Sequence, residues 1–515
     1  MGEIIWSVSW LNWSVFVMVT ALKLLLAFPS YISTDFDVHR NWLSITHSLP
    51  ISQWYYEETN QWTLDYPPFF AYFEWILAQI AERLNLDPNM LSITPDAVRS
   101  PDTIAFQRMS VIITDLLFVF ACHLCVTRLY KNENIAKFIT FTLLLLTPGL
   151  IIVDHIHFQY NGMLFGILLL SLLTIRCDYN LIGAILFAIL LNFKHIFLCL
   201  APVYFVYLLQ KYCMVFTIHP KTEIRRTYFS LPRFLLLSFC VLAVFGLSFG
   251  PFIYLGQFGQ VLKRLFPFQR GLTHAYWAPN FWALYNTADL VLVKVLKVAG
   301  FDYQPAALTG GIIGEVQHSV LPTIYPIYTI ILTLVFLMPM LYNVYRYPSV
   351  PSFKTSIVLS ALTFFLFGWH VHEKAILIAL IPMYLLVGRS ATYARMAFIL
   401  SIAGNYSLFP LLYQAQETPV KVLLLLLHTL LFYYLVEHMY KFTADEQGVQ
   451  SFTFYKMEVL YFFGFVPLQI FTSVVQPLLL PSHTFLPLLL TSCYCSVGII
   501  YSYVLLYIKT YKEHA

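Results

Sequence analysis

Runs of apolar residues about as long as a bilayer is thick recur from one end of this chain to the other, and they constrain its fold more than any other feature. A spanning helix needs about 20 mostly apolar residues, because with no water in the hydrocarbon every backbone N–H and C=O must be satisfied within the segment. Fourteen such runs are read from the sequence, at 10–30, 106–130, 137–153, 162–176, 180–192, 195–211, 233–252, 319–342, 356–368, 374–388, 394–411, 420–440, 456–478 and 486–508. Those at 180–192, 356–368 and 374–388 are short, so splitting or merging is expected there first. Only 11% of the 515 residues are charged, against roughly 25% in a soluble domain. The expectation is an all-α polytopic membrane protein, a single transmembrane domain over 1–515 interrupted by two long hydrophilic inserts at 31–105 and 253–318.

Charge gives the topology. With 30 Lys+Arg against 26 Asp+Glu the formal net charge is +4, and no concentrated basic face exists for a nucleic acid to grip. If the first run exits into the non-cytosolic compartment, alternate connections collect Arg128, Lys131 and Lys137; Arg176; Lys211, Lys221, Arg225, Arg226 and Arg233; Arg346 and Lys354; Arg389 and Arg395; Lys441 and Lys456; Lys509 and Lys512. The short loops on the other side hold only Lys194, Lys374 and Lys421, the asymmetry expected of cytosolic and non-cytosolic loops. An even number of crossings puts both termini in the cytosol. The first run lacks a basic leader and a small-residue cleavage site, so a retained helix is expected. The eight cysteines lie in apolar runs or at their ends, which offers no disulfide framework for the inserts, and the CxxC of Cys122 and Cys125 reads as a pair of small buried hydrophobes. There is no internal repeat and no tandem pair of broken helices, the signature of many transporters.

Under this topology nearly every dense polar motif falls on the non-cytosolic side: Ser33–Trp42, Leu64–Pro68, Asp154–Asn161, Asn192–His195, Phe266–Trp277, Gly368–Lys374 and Gly404–Ser407. A composite site at that face follows, since polar groups clustered at a membrane cost free energy unless they are paired, wetted or used. Carboxylates supply a general base, Lys, Arg and His supply positive charge for an anionic group, and Trp, Tyr, Gln and Asn suit sugar faces and hydroxyls. No Ser-His-Asp order, phosphate-binding Gly loop or dinucleotide turn is present. His155 and His157, together with His370, His372 and Glu373, have the residue types of a zinc site, with hydrogen bonding to sugar or phosphate the better account of them. Trp42, Trp62 and Trp277 suit a sugar face or an interfacial belt equally. Asp115 is expected to be paired inside the bundle, and Asn405-Tyr406-Ser407 is a sequon close to the membrane.

The motifs TDFDVHRNW, LDYPPFFAYFEW, DHIHFQYNG, NFKHI, RLFPFQRGLTHAYWAPNFWALYN, FGWHVHEKAIL and YSLFPLL, in that order over essentially the whole chain, resemble those of the endoplasmic reticulum glucosyltransferases that use dolichyl-phosphate glucose to build the lipid-linked oligosaccharide for N-glycosylation. Within that family TDFDVHRNW and HAYWAPNFWALYN resemble the branch adding the second glucose. The first-glucose branch typically has Gly before the first Asp and Glu-Ala-Gln in place of Asp37-Val38-His39. The resemblance implies a GT-C fold, a multi-pass endoplasmic reticulum location, a lumenal active site, an inverting transfer, and no metal or other cofactor. It implies Asp35 as general base, with Asp37 supporting. Candidates for the donor phosphate are Arg270, His274, His370, His372 and Lys374. Candidates for the sugars and acceptor are Arg40, Trp42, Asp154, His157, Gln159, Tyr160, Asn161 and Trp277. The partners implied are dolichyl-phosphate glucose, a dolichyl-pyrophosphate-linked oligosaccharide and the bilayer.

Overall fold

The computed structural model describes residues 2–27, 31–130, 133–218, 225–266, 271–274, 277–301, 318–447 and 452–513. Each of the fourteen apolar runs lies on a largely helical stretch, though not always on one unbroken α-helix. The run beginning at 319 turns helical only at Pro326; proline suits a first helical turn, where the missing N–H has no partner to lose. His195–Cys213 opens as a 3-10 turn and closes as a π-turn. Among the described residues nine helical segments are long and apolar enough to cross a membrane, and Trp10–Leu25, Asn161–Arg176 and Asn180–Phe193 are shorter apolar helices. The run at 374–388 becomes the nine-residue helix Ile376–Tyr384, flanked by 3-10 turns and buried at every position. Protein rather than lipid surrounds it, so it need not span alone.

The chain divides into two compact units, 1–131 with 153–267, and 132–152 with 268–515. In the first, Asn161–Arg176 packs between Leu116–Leu129 and Asn180–Phe193, and Leu231–Tyr254 covers the latter. The insert 31–105 contributes Thr34–Ser48 and Pro68–Arg83, which pack on each other. The short amphipathic helix Phe258–Leu265 straps that insert down: Gln257 donates to the Ser52 carbonyl at 2.8 Å, and Gln260 and Arg264 to that of Tyr55 at 2.9 and 3.0 Å. A hairpin absent from the sequence reading pairs Met214–Ile218 with Arg225–Phe229.

In the second unit Val350–Phe367, Ile376–Tyr384 and Ala391–Tyr406 are almost wholly buried, whereas Pro326–Arg346, Lys456–Ile470 and much of Leu486–Lys512 show apolar side chains outward. Such a hydrophobic exterior is a lipid-facing one. The eight cysteines are all free.

Candidate functional site

In the first unit Ser33 caps the helix Thr34–Ser48: its Oγ accepts from the Phe36 N–H at 3.2 Å and donates to the His157 carbonyl. One hydroxyl thus fixes the start of the helix and sews it to the DHIHFQYNG segment. Asp35 and Asp37 fall in the first turn, where a helix dipole favours negative charge. Their environments differ. Asp37 is 3% exposed and receives Arg99 through Nε at 3.2 Å and Nη2 at 2.6 Å. The Asp35 side chain is 23% exposed; its Oδ2 accepts from Gln159 Nε2 at 2.5 Å and lies 3.4 Å from His157 Nε2.

What holds the opposing segment is strain backed by packing. Phe158 has φ +84°, a region a bulky residue enters at a cost of about 1–3 kcal/mol. Its ring is gripped by Phe36, His39 and Tyr160, with centroids 5.2, 5.4 and 5.5 Å away. The kink sends His157 and Gln159 toward Asp35. Asp154 then closes the turn, accepting from Asn161 Nδ2 at 2.8 Å and the Gly162 N–H at 2.6 Å. Gly162 must lack a side chain, because a Cβ there would strike the Asp115 carboxylate.

Several expected ligand-facing residues turn out to build this scaffold. Arg40 is fully buried, donating to the Ser92 and Asp96 carbonyls at 2.9 and 3.0 Å, and burial lowers its pKa against the opposing influence of Asp37. Trp42 is 2% exposed with Nε1 on the Thr63 carbonyl at 3.1 Å. Tyr160 is bonded to Ser110 Oγ at 2.8 Å, and Asp154 and Asn161 are buried. Among the sugar candidates in this unit, His157 and Gln159 reach Asp35.

Sequence reasoning passed over Glu74, Arg99 and Tyr66. His39 Nδ1 and Glu74 Oε1 lie 2.8 Å apart in the core, ringed by Trp42, Tyr66, Phe70, Phe158 and Tyr160. Burial raises the Glu74 carboxyl and the His39 bond counters it. Burial, then the carboxylates of Asp65, Asp35 and Asp154, push the Tyr66 phenol well up. The signal for Glu74 and Tyr66 was their place in the LDYPPFFAYFEW motif, which revealed none of their partners; Arg99 lies outside every motif. Asp115 pairs with Lys23, as expected of a carboxylate inside a bundle.

The second unit assembles the histidines. Thr273 and Val371 form a bridge, His370 donates its N–H to the Leu272 carbonyl at 3.0 Å, and its Nδ1 lies 2.8 Å from the Gly271 carbonyl. His370 itself has φ +51°. The result is a cluster with ring centroids of His274 and His372 4.0 Å apart, and His274 Nδ1 3.6 Å from the buried Glu373. Burial would raise the Glu373 carboxyl, but the His274 hydrogen bond and the Lys374 charge hold it below its ordinary range. One ligand atom from each of His274, His372 and Glu373 lies within 4.8 Å of the others, close enough to hold a metal ion. Two members of the metal grouping suggested by the sequence, His372 and Glu373, are thus joined by His274. Trp277 is 3% exposed and packed on Phe485 at 4.9 Å, so it anchors its loop. Arg270 lies outside the described residues. Asn405 is fully buried and accepts from the Gly149 N–H at 2.8 Å, which removes the sequon from any glycosylating enzyme.

A model of the ALG6, ALG8 glycosyltransferase family matches residues 19–506. A Mus musculus protein named dolichyl pyrophosphate Glc1Man9GlcNAc2 alpha-1,3-glucosyltransferase is 48% identical over 95% of this chain and 93% of its own length. An Arabidopsis thaliana protein of the same name is 43% identical over 95% and 96%, and a Drosophila melanogaster one, named as probable, is 46% identical over 95% and 93%. Among solved structures, ArnT from Cupriavidus metallidurans bound to undecaprenyl phosphate aligns with a TM-score of 0.39 at 13% identity, over 96% of this chain and 77% of that one.

Proposed function

The chain belongs to the ALG6, ALG8 glycosyltransferase family, and from that premise we propose that it moves glucose from dolichyl-phosphate glucose to a dolichyl-pyrophosphate-linked oligosaccharide already bearing one glucose, Glc1Man9GlcNAc2, in α-1,3 linkage. It works as a multi-pass protein of the endoplasmic reticulum membrane, with a GT-C arrangement and a lumenal active site. The acceptor step is supported by the relatives named for that substrate at 43–48% identity.

Asp35 carries the mechanism. It is the part-exposed carboxylate of its helix turn, held by Gln159 and His157, whereas Asp37 is neutralised by Arg99 and has a supporting role. In the proposed step Asp35 takes the proton of the acceptor glucose 3-hydroxyl, whose oxygen forms a bond to the donor's anomeric carbon as the bond from that carbon to the phosphate oxygen breaks. Dolichyl phosphate leaves with the electron pair. A β-linked donor giving an α-product inverts, so one base suffices without a covalent intermediate. The leaving group is already anionic and needs cations more than an acid. His274, His370, His372 and Lys374 are assigned that role, with Arg270, and each such donor is worth about 10²–10³ in rate where charge develops. The purified protein, dolichyl-phosphate glucose and the non-glucosylated and monoglucosylated acceptors side by side test the proposal. Transfer only to the monoglucosylated acceptor is expected. Transfer only to the other makes this a first-glucose enzyme, and no new glycosidic bond with either rejects the reading.

A further inference from the structure

A side-chain amide has a donor end and an acceptor end, and which one Gln159 turns to Asp35 decides whether it helps or hinders an ionised carboxylate. Lys194 settles the matter. It follows the helix Asn180–Phe193 directly, where a cation complements the helix C-terminus, and its ammonium stands 5.1 Å from the centre of the Tyr66 ring. It reaches Gln159 Oε1 at 3.2 Å and Asn161 Oδ1 at 2.9 Å. An ammonium only donates, so both atoms it meets must be carbonyl oxygens. Asn161 Nδ2 is thereby turned to Asp154 Oδ1 and to Gln159 Oε1, each at 2.8 Å. With its oxygen held by two donors, Gln159 presents Nε2 to Asp35 Oδ2.

We propose that Lys194 is a positioning residue for Asp35: through Gln159 it keeps an N–H, never a carbonyl oxygen, against the carboxylate, and so keeps Asp35 ionised and aimed. The inference rests on the reading of Asp35 as the base. Without the ammonium the Gln159 oxygen keeps only the Asn161 Nδ2 donor, which lowers the cost of the reversed orientation, and that orientation sets a carbonyl dipole against a carboxylate. That penalises the charged form and raises the pH at which the base becomes competent. Among the described residues, titratable groups near Asp35 include His157 at 3.4 Å; Tyr66, whose phenol is influenced by Asp65, Asp35 and Asp154; and, on its own helix, Asp37 with Arg99. None of them changes in the variants used to test the proposal.

The test compares Lys194→Met, Lys194→Arg, Gln159→Leu, Gln159→Glu and the Lys194→Met/Gln159→Leu double variant in detergent, with kcat and acceptor KM measured against pH. Lys194→Met should lower kcat at neutral pH by about 10- to 100-fold, the range typical when an outer partner orienting a reacting group is lost. KM should change little and the acid limb should move to higher pH. Lys194→Arg should restore most of the rate. Gln159→Leu should be impaired, and the double variant no worse than Gln159→Leu alone, because the two residues act on one path. Gln159→Glu keeps the contact with Lys194 but opposes two carboxylates, so its acid limb must also rise; this arm holds even if Lys194→Met fails to fold. An unmoved acid limb in Gln159→Glu, or Lys194→Met within twofold of the parent, overturns the proposal. So does a Lys194→Met loss that adds fully to that of Gln159→Leu, the mark of a packing role. An Asp35→Asn control separates the two levels. If it is inactive while Lys194→Met is normal, only this inference falls; if it turns over normally, the base assignment falls with it.

Discussion

Two positions apart on one helical turn, Asp35 and Asp37 point in directions differing by about 200°, and their neighbours then decide their use. Asp37 is closed off by a two-point contact from Arg99. Asp35 keeps some solvent contact and receives a neutral donor, which leaves its charge uncompensated by the amide and available to a hydroxyl. Replacing Asp35 by Asn preserves shape and hydrogen bonding but removes the basic lone pair. Transfer by the purified Asp35→Asn protein should fall by about 10²–10⁴-fold, the worth of a general base, with donor binding and the melting temperature nearly intact. Near-normal turnover would move the assignment to Asp37. The two carboxylates were legible in the sequence. The difference in their surroundings was not, because it depends on Arg99, 62 positions downstream, and no local spacing encodes that contact.

Helical segments were readable from apolar run length alone, since a bilayer tolerates few alternatives, but what joins one element to another was not. Lys23 and Asp115 tie the first helix to Pro101–Leu129, each side chain 4% exposed. Lys23→Met alone leaves a buried carboxylate uncompensated and should destabilise the protein by about 3–5 kcal/mol, whereas the double change Lys23→Met/Asp115→Leu should recover most of the loss. Thermal unfolding in detergent measures both; equal loss in the single and double variants would mean that the pair is not coupled. Asp289 provides a second tie. Its carboxylate accepts the N–H groups of Ser319, Val320 and Leu321 at 3.0, 2.9 and 2.7 Å, stapling that segment to the helix Phe281–Val298. Burial would raise its pKa, but the three backbone donors prevail and lower it from 3.8. The folded form therefore releases its proton more readily than the unfolded chain. The resulting stability is full above that ordinary value and is lost as pH falls through the folded one. The melting-temperature gap between the parent and Asp289→Asn should be constant from neutral pH down to about 5 and close on further acidification; a gap independent of pH throughout contradicts the staple.

At the scale of the whole molecule, the order of motifs told more than any single one, which is why family and reaction were legible while the roles of Arg40, Trp42 and Trp277 were not: an aromatic or cation looks the same in a string whether it faces a sugar or a neighbouring carbonyl. The histidine cluster poses the same ambiguity for metals. Glu373 already has His274 and Lys374 to balance its charge, and an adjacent ammonium repels a divalent ion, so transfer should survive exhaustive EDTA treatment; loss restored by one divalent cation would make His274, His372 and Glu373 ligands. Orientation is the remaining global property. Lys and Arg outside the long inserts gather at Arg128–Lys137, Arg176, Lys211–Arg233, Arg346–Lys354, Arg389–Arg395, Lys441–Lys456 and Lys509–Lys512, and the intervening short loops hold Lys194, Lys374 and Lys421. Two of those three are occupied inside the protein: Lys194 on Gln159 and Asn161, and Lys421 on the Phe409 and Leu412 carbonyls at 3.1 and 2.5 Å. Lysines held in this way serve structure or chemistry rather than anchoring, so the true contrast between the two sides is steeper than the raw sequence suggests. Positive residues are retained on the cytosolic side during insertion. Epitope tags at either terminus of the protein in sealed microsomes should therefore be digested by added protease without detergent, and a tag inserted in the 31–105 segment should be protected until the membrane is dissolved. Protection of either terminal tag would invert or break the topology and move Asp35 to the cytosolic face.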